Sequence, residues 1–304
     1  MANIAWPSNP SVGQTYTFNS ITYYWTGTTW SPGTAPISLT GPTGPAGLTG
    51  PTGPVVTPIG EQGILTKSGA NLLFAPKKGN IIYINGAQQT IPNAGVTLAP
   101  TALSVGTVYY IYAFMSGGTL TLEASTTGHS VDSSTGVEIK TGDSTRSLVG
   151  QAKIIAGPAW TDTATQRFVL SWFNRRPIAV ANNFSTSRST ASATFVEVNS
   201  EVRSEFLLWS GDSVYCGINV LAQISTSGAT AQGGVGVDIT SGTPNGGEGW
   251  ITAPVGGFDG SFGGTVAVSG LAEGAHFVTV LAKVDSGSIT LFQNGSVTTA
   301  FLMG

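Results

Sequence analysis

Short runs of alternating or continuous apolar residues, separated by Gly, Asn and Ser, recur along this chain. Thr15-Tyr16-Thr17-Phe18 alternates, Asn19-Ser20 offers a turn, Ile21-Thr22-Tyr23-Tyr24-Trp25 follows, and Gly27 and Trp30 come next. This pattern predicts two or three short strands in a meander. Asn80–Asn85 is an apolar run closed by Asn85-Gly86, and Val108–Phe114 is turned by Gly117-Gly118 into Thr119–Glu123. Leu148–Ile155 and Phe168–Phe173 read as further strands, as do Thr194–Val198, Phe206–Trp209, Ser213–Ser225, Gly234–Ile239, Thr265–Val268, His276–Val284 and Ser288–Phe292. Phe277–Val284 is largely apolar on both faces, as expected of a strand buried inside a sandwich or a trimer. The apolar run Ala300–Gly304 predicts a buried final strand, since such a segment should not hang free in water.

Composition divides the pattern into four segments: 1–33, 34–58, 59–177 and 178–304. The second is rich in Pro, Gly and Thr. Gly41, Gly44, Gly47, Gly50 and Gly53 open five consecutive Gly-X-Y triplets, with Pro second in four of them. Three polyproline-II chains can wind around one axis only where Gly occupies every third position. Residues 41–55 therefore predict a collagen-like triple helix and a stoichiometry of three. At ~3 Å per residue the stalk would be roughly 45 Å long. Ordering each residue costs about 1–2 kcal/mol of backbone entropy. So short a stalk needs flanking domains to hold three chains in register. The expected fold is all-β: a trimeric fibre with a small N-terminal β module, the stalk, and two β-sandwich or jelly-roll-like domains.

The 304 residues include 42 Gly and 16 Pro, and only 9% are charged, against about 25% in ordinary soluble chains. With a net charge of −3 there is no basic surplus to neutralise phosphates, so no nucleic-acid partner is expected. No apolar run approaches the ~20 residues that span a bilayer, so membrane insertion is not expected either. Met1–Pro7 lacks a basic region followed by an apolar core, and a secretory signal is not expected. The single cysteine, Cys216, excludes a disulfide framework within the chain and reads as a small core residue.

Tyr109–Tyr112, Leu122–Thr126, Gly136–Asp143 and Ser171–Pro177 resemble a β domain recurrent in phage and prophage tail-fibre proteins. Segment 1–33, with Pro10, Gly13, Tyr16, Trp25, Gly27 and Trp30, is similar to a short N-terminal module of such proteins, in which collagen-like runs are also common. The turn before His276 and the apolar end of the chain look like trimeric jelly-roll tips of the tumour necrosis factor type. The resemblance implies a structural virion component and supplies no catalytic residue.

Candidate chemistry is sparse. His129 sits in the turn-like context Thr127-Gly128-His129-Ser130 and is expected to be exposed. His276 begins a strand and is expected to be a satisfied structural histidine. Glu197, Glu201 and Glu205 recur every four residues. Because the region alternates, Glu201, Arg203 and Glu205 are expected to share one strand face, solvated or paired across subunits. Paired carboxylates can hydrolyse glycosides, which keeps a capsule-depolymerising tailspike as an alternative. No β-helix period, phosphate loop or metal cluster supports it, and neither an enzyme nor a cofactor or metal is expected. The Gly-rich stretches Ala231–Gly234, Thr243–Trp250 and Gly256–Gly264 read as loops carrying single aromatics, a combination suited to sugars. Trp250, Phe258, Asp259 and Phe262 are the candidate ligand contacts. Trp6, Tyr16, Trp25 and Trp30 are the candidates for docking onto other virion proteins. The expected function is a homotrimeric tail fibre located in the virion that binds a glycan or protein receptor on the bacterial surface. A head or neck fibre, or a surface adhesin, remains an alternative.

Overall fold

The computed structural model describes residues 4–36, 62–157 and 159–302. The predicted triple helix with Gly41, Gly44, Gly47, Gly50 and Gly53 lies outside them. The chain divides into two compact units, Met1–Thr57 and Pro58–Gly304. Almost all regular structure is strand, and among the described residues no helix is long and apolar enough to cross a membrane.

The first unit holds the predicted meander, Thr15–Phe18, Ile21–Trp25 and Trp30–Pro32, in that order. Asn19 and Ser20 both adopt positive φ, the two-residue hairpin geometry that matches strand twist.

In the second unit, residues 62 to 176 build a sheet around the pair Val108–Ser116 and Asp143–Lys153. Thr119–Ser125 flanks the pair on one side; Glu138–Lys140 and His129–Val131 extend it on the other. Gly63–Ser68, Asn71–Pro76 and Val96–Leu98 form a second, smaller sheet, and Ile81–Ile84 pairs with Ala87–Thr90. Leu65, Leu72, Phe74, Ile82, Ile111 and Val149 fill the core between them. The predicted turns at Asn85-Gly86 and Gly117-Gly118 are present, with positive φ at all four residues.

The C-terminal part is a jelly roll of two sheets, built among the described residues on eight strands of five or more residues, numbered below in chain order, with the short strands Arg188–Thr190, Val196–Glu197 and Ile289–Leu291 outside that count. In one, the first strand Ile178–Asn183 pairs with the last, Val297–Leu302; the last pairs with the third, Val214–Ile224, and the third with the sixth, Phe258–Val268. In the other, the second strand Ser204–Leu208 pairs with the seventh, Gly274–Val284; the seventh pairs with the fourth, Thr230–Val237, and the fourth with the fifth, Gly246–Thr252. This interleaving of first with last and second with seventh is the double Greek key. Phe206, Val214, Val220, Val280 and Leu302 pack between the sheets, and Cys216 is buried among them. Burial pushes its thiol up to about 12, so it is inert. The predicted final strand is present between two others of its sheet, but only one face is buried: Thr298, Ala300 and Leu302 turn inward, whereas Thr299 and Phe301 are exposed. Gln166–Arg167 pairs in parallel with Ser204–Leu208, so a strand from before residue 177 completes the C-terminal sheet.

The three Gly-rich stretches read as loops lie largely in strands Thr230–Val237, Gly246–Thr252 and Phe258–Val268. Glycine is there because neighbours leave no room for a side chain. A Cβ on Gly264 would fall 2.4 Å from the Gly247 carbonyl oxygen, and one on Gly233 1.9 Å from the Phe262 ring.

The outer faces of the two sheets differ. On the Gly274–Val284 sheet, Thr279 and Leu281 are fully buried. The segment around Val196–Glu197 pairs with this strand and is tied to the following loop by Glu197 N–H to Thr240 O (2.7 Å) and Gly242 N–H to Phe195 O (3.1 Å). Leu207 and Trp209 are covered by Tyr112, Leu148, Phe168 and Leu170 from the preceding sheet. Among the described residues of the second unit, no segment covers the outer face of the other sheet in this way. Its successive rows are Ala179, Phe301, Tyr215 and Ala267, then Ala181, Thr299, Gly217 and Thr265, then Asn183, Val297, Asn219 and Gly263.

Candidate binding surfaces

Trp250 lies on the outermost strand of its sheet with its side chain turned outward, 71% exposed. Its cross-strand neighbour is Gln232, whose own neighbour Lys283 stacks over Phe195 at 4.5 Å. Two residues along, the hydroxyls of Thr230 and Thr252 meet at 3.0 Å. An open indole face with a carboxamide on the neighbouring strand and threonine hydroxyls two residues along suits a sugar ring, which offers C–H groups to the aromatic and hydroxyls to the rim.

The other three sequence candidates are not gathered there. Phe258 is half-buried against the jelly-roll core. Asp259 lies on the opposite sheet and accepts a hydrogen bond from Gln223 Nε2 at 2.9 Å. Phe262, at 6% exposure, is a core residue whose ring fills the space above Gly233. It cannot meet an external ligand. The Gly-rich stretch reads as a loop that would leave the ring free, whereas in the strand Phe258–Val268 the ring turns inward.

In the first unit the four docking candidates form one aromatic cluster with Tyr23. Trp6 stacks on Trp30 (centroids 5.3 Å, planes 11° apart) and meets Tyr23 edge-on at 5.0 Å. Tyr16 tilts against Trp6 and Trp30, and Trp25 against Trp30. Trp6 stays exposed, so part of the cluster can meet a partner.

His129 was misplaced by the sequence reading. It begins the strand His129–Val131 with a side chain only 17% exposed, because Tyr110, Trp172 and Trp209 surround its ring. Nδ1 lies 2.7 Å from Glu138 and Nε2 3.2 Å from Glu273, at the junction between the jelly roll and the preceding sheet. Both neighbours are carboxylates, an arrangement that favours the protonated ring. The hydrogen bond to Glu273 raises its pKa most, with Glu138 adding, against the opposing effect of burial. Burial would raise Glu273, yet the hydrogen bonds from His129 and Tyr110 hold it below its usual range. Glu273 also accepts the Ser210 N–H at 3.3 Å, and nearby Arg175 pairs with Asp212 at 3.0 Å while stacking on Trp172. No sequence signal marked the site: Glu273 is distant along the chain.

A histidine raised on folding contributes stability that is complete below its unfolded pKa, about 6.5, and is lost as pH rises through the higher folded value. The melting temperature of the wild type should therefore exceed that of His129→Gln most at mildly acidic pH. The gap should close as pH is raised above 6.5. Melting curves across that range test this; a constant gap would show that folding leaves the ring's pKa unshifted. His276 is satisfied as expected, with Nδ1 2.6 Å from Asp238 and Nε2 2.7 Å from the Ala272 carbonyl.

The expected glutamate face is also corrected. Glu201 lies in a short 3-10 turn, Ser200–Val202, capped by Asn199, and not on a strand. Arg188 donates to it and, with Ser185, holds its carboxyl at about 2. Glu197 accepts from Arg203 at 2.6 Å, and Glu205 from Gln166. These carboxylates are engaged within the chain. Among the described residues no group of three or more His, Cys, Asp or Glu is arranged to hold a metal ion.

No protein-family model matches the chain. No curated protein matches it either. Solved structures with a loose likeness include the VP2 subviral particle of infectious bursal disease virus (TM-score 0.29, 12% identity, covering 67% of this chain and 53% of that one). The Gx strain of the same virus gives a TM-score of 0.28 at 10% identity, covering 80% and 72%. The T13 particle gives 0.25 at 11% identity, covering 79% and 71%. This chain thus spans about half the length of the first of these. At such TM-scores the overlap is too loose to speak for its role.

Proposed function

We propose that this protein is a non-enzymatic subunit of a homotrimeric virion fibre, a tail fibre, that meets the bacterial surface through its jelly roll. The supporting observation is the presence in one chain of five Gly-X-Y triplets, which call for three copies, and a C-terminal jelly roll with an exposed tryptophan platform. In this reading the aromatic cluster of the first unit attaches to other virion proteins. The Trp250 surface binds a surface glycan, weakly per site and tightly by repetition over three tips.

The full-length Trp250→Ala variant should bind host cells or host glycan at least ~10-fold more weakly, as for an aromatic anchor worth over 1 kcal/mol. Its melting temperature should stay unchanged, because so exposed a side chain contributes little to folding. Binding by Trp250→Ala equal to wild type would remove the platform from the reading. A single-chain mass in solution would remove the fibre reading. Release of fragments from host polysaccharide would replace binding with hydrolysis.

A further inference from the structure

We infer that three copies of this chain associate through the uncovered sheet face that carries Tyr215, Leu221 and Phe301. The inference rests on the trimer reading above and names the surface that such a trimer would use.

Tyr215 is 53%, Phe301 43% and Leu221 41% exposed, and Tyr215 and Phe301 stand directly opposite each other on neighbouring strands. Tyr215 and Phe301 form an adjacent apolar pair and Leu221 stands three rows further along the same face; such a pair marks a contact surface more than scattered single residues do. Charge gives the second indication. From the row of Tyr215 to that of Leu221 and Ser261, no ionisable acid or base lies on this face; the first is Asp259, one row further on. Depletion of charge marks the core of an interface. A sheet open to water would be expected to carry charged side chains, as the exposed edge strand of the opposite sheet does at Glu248.

The third indication is the contrast in cover. Around Leu207, Thr279 and Leu281 the outer face of the other sheet is covered by the chain's own segments, whereas among the described residues of the second unit none folds over this one. Beside Leu221, a hollow of about 320 Å³ is lined by Asn183, Asn219, Gln293 and Asn294. Carboxamides supply hydrogen bonds without charge, and such groups fix register in an otherwise apolar contact.

The occupant is a sister chain because the same sequence demands one. Five Gly-X-Y triplets require three chains yet are too few to hold them, so the β domains must supply the association energy. Around a three-fold axis the contact is head-to-tail: this face on one copy meets a different surface of the next, and the ring closes.

Thiol labelling of the full chain tests the assignment. Cys216 is buried, so the native thiol is silent. Thr299→Cys places a reporter in the middle of the face, and Thr252→Cys places one beside Trp250. The result expected is a three-chain mass, loss of maleimide labelling at position 299 relative to urea-unfolded protein, and free labelling at position 252. Tyr215→Lys should shift the mass toward one chain and restore labelling at position 299. A three-chain mass with position 299 labelled as fast as position 252 would overturn this face and leave the trimer standing. A one-chain mass would overturn both.

Discussion

Replacing Trp209 with alanine should cost about 3–5 kcal/mol of folding stability, the range for removing a buried aromatic ring. Trp209 is 1% exposed and joins the two halves of the second unit. Its indole meets Trp172 edge-on at 4.8 Å and His129 at 5.8 Å, and Nε1–H donates to the Ser171 carbonyl at 3.3 Å. Truncation leaves a cavity, strips the cage from His129 and orphans a buried carbonyl, each of which adds to the cost. Gln151, fully buried, donates to the Leu208 carbonyl one residue before the tryptophan, and that bond would lose its packing too. Urea denaturation of the full chain measures the loss. Trp209→Phe should recover the larger part, since the ring volume matters more than the single hydrogen bond. A loss under about 1 kcal/mol would mean that the halves are held elsewhere.

Gly264→Val should destabilise by about 3 kcal/mol, at the upper end for overpacking, with Gly264→Ala falling between it and the wild type. A Cβ at this position would lie 2.4 Å from the Gly247 carbonyl oxygen and 2.6 Å from its carbon and Cα. These are backbone atoms on the facing edge strand, so no rotamer change can relieve the clash. The two sheets must part where the jelly roll closes. Melting temperature against side-chain size at residue 264 tests this; a flat series would mean that the edge gives way freely.

Legibility in the sequence followed the range of the interactions. The hairpins at Asn19-Ser20, Asn85-Gly86 and Gly117-Gly118 were readable because positive φ is a property of the turn residues themselves. The strand Gly274–Val284 was readable because burial on both faces writes a continuous apolar run. The Gly-rich strands were not readable. Glycine ordinarily signals a loop, and at Gly233 and Gly264 it answers instead to Phe262 and Gly247, which the fold brings alongside. The ligand candidates suffered from the same error: Trp250 proved exposed, whereas Phe262 turned inward once its segment was a strand.

What the sequence by itself determined is therefore the all-β character, the turns, the buried Cys216 and the strand at the apolar end of the chain. Each depends on residues close together in the chain. Tertiary structure alone decided that His129 is clamped between Glu138 and Glu273, that Trp209 joins the two halves, and that one sheet face is covered while its counterpart is bare. Those features arise where residues far apart in sequence meet. Periodicity shows which side of a strand is apolar, and only the packed fold shows what lies against it.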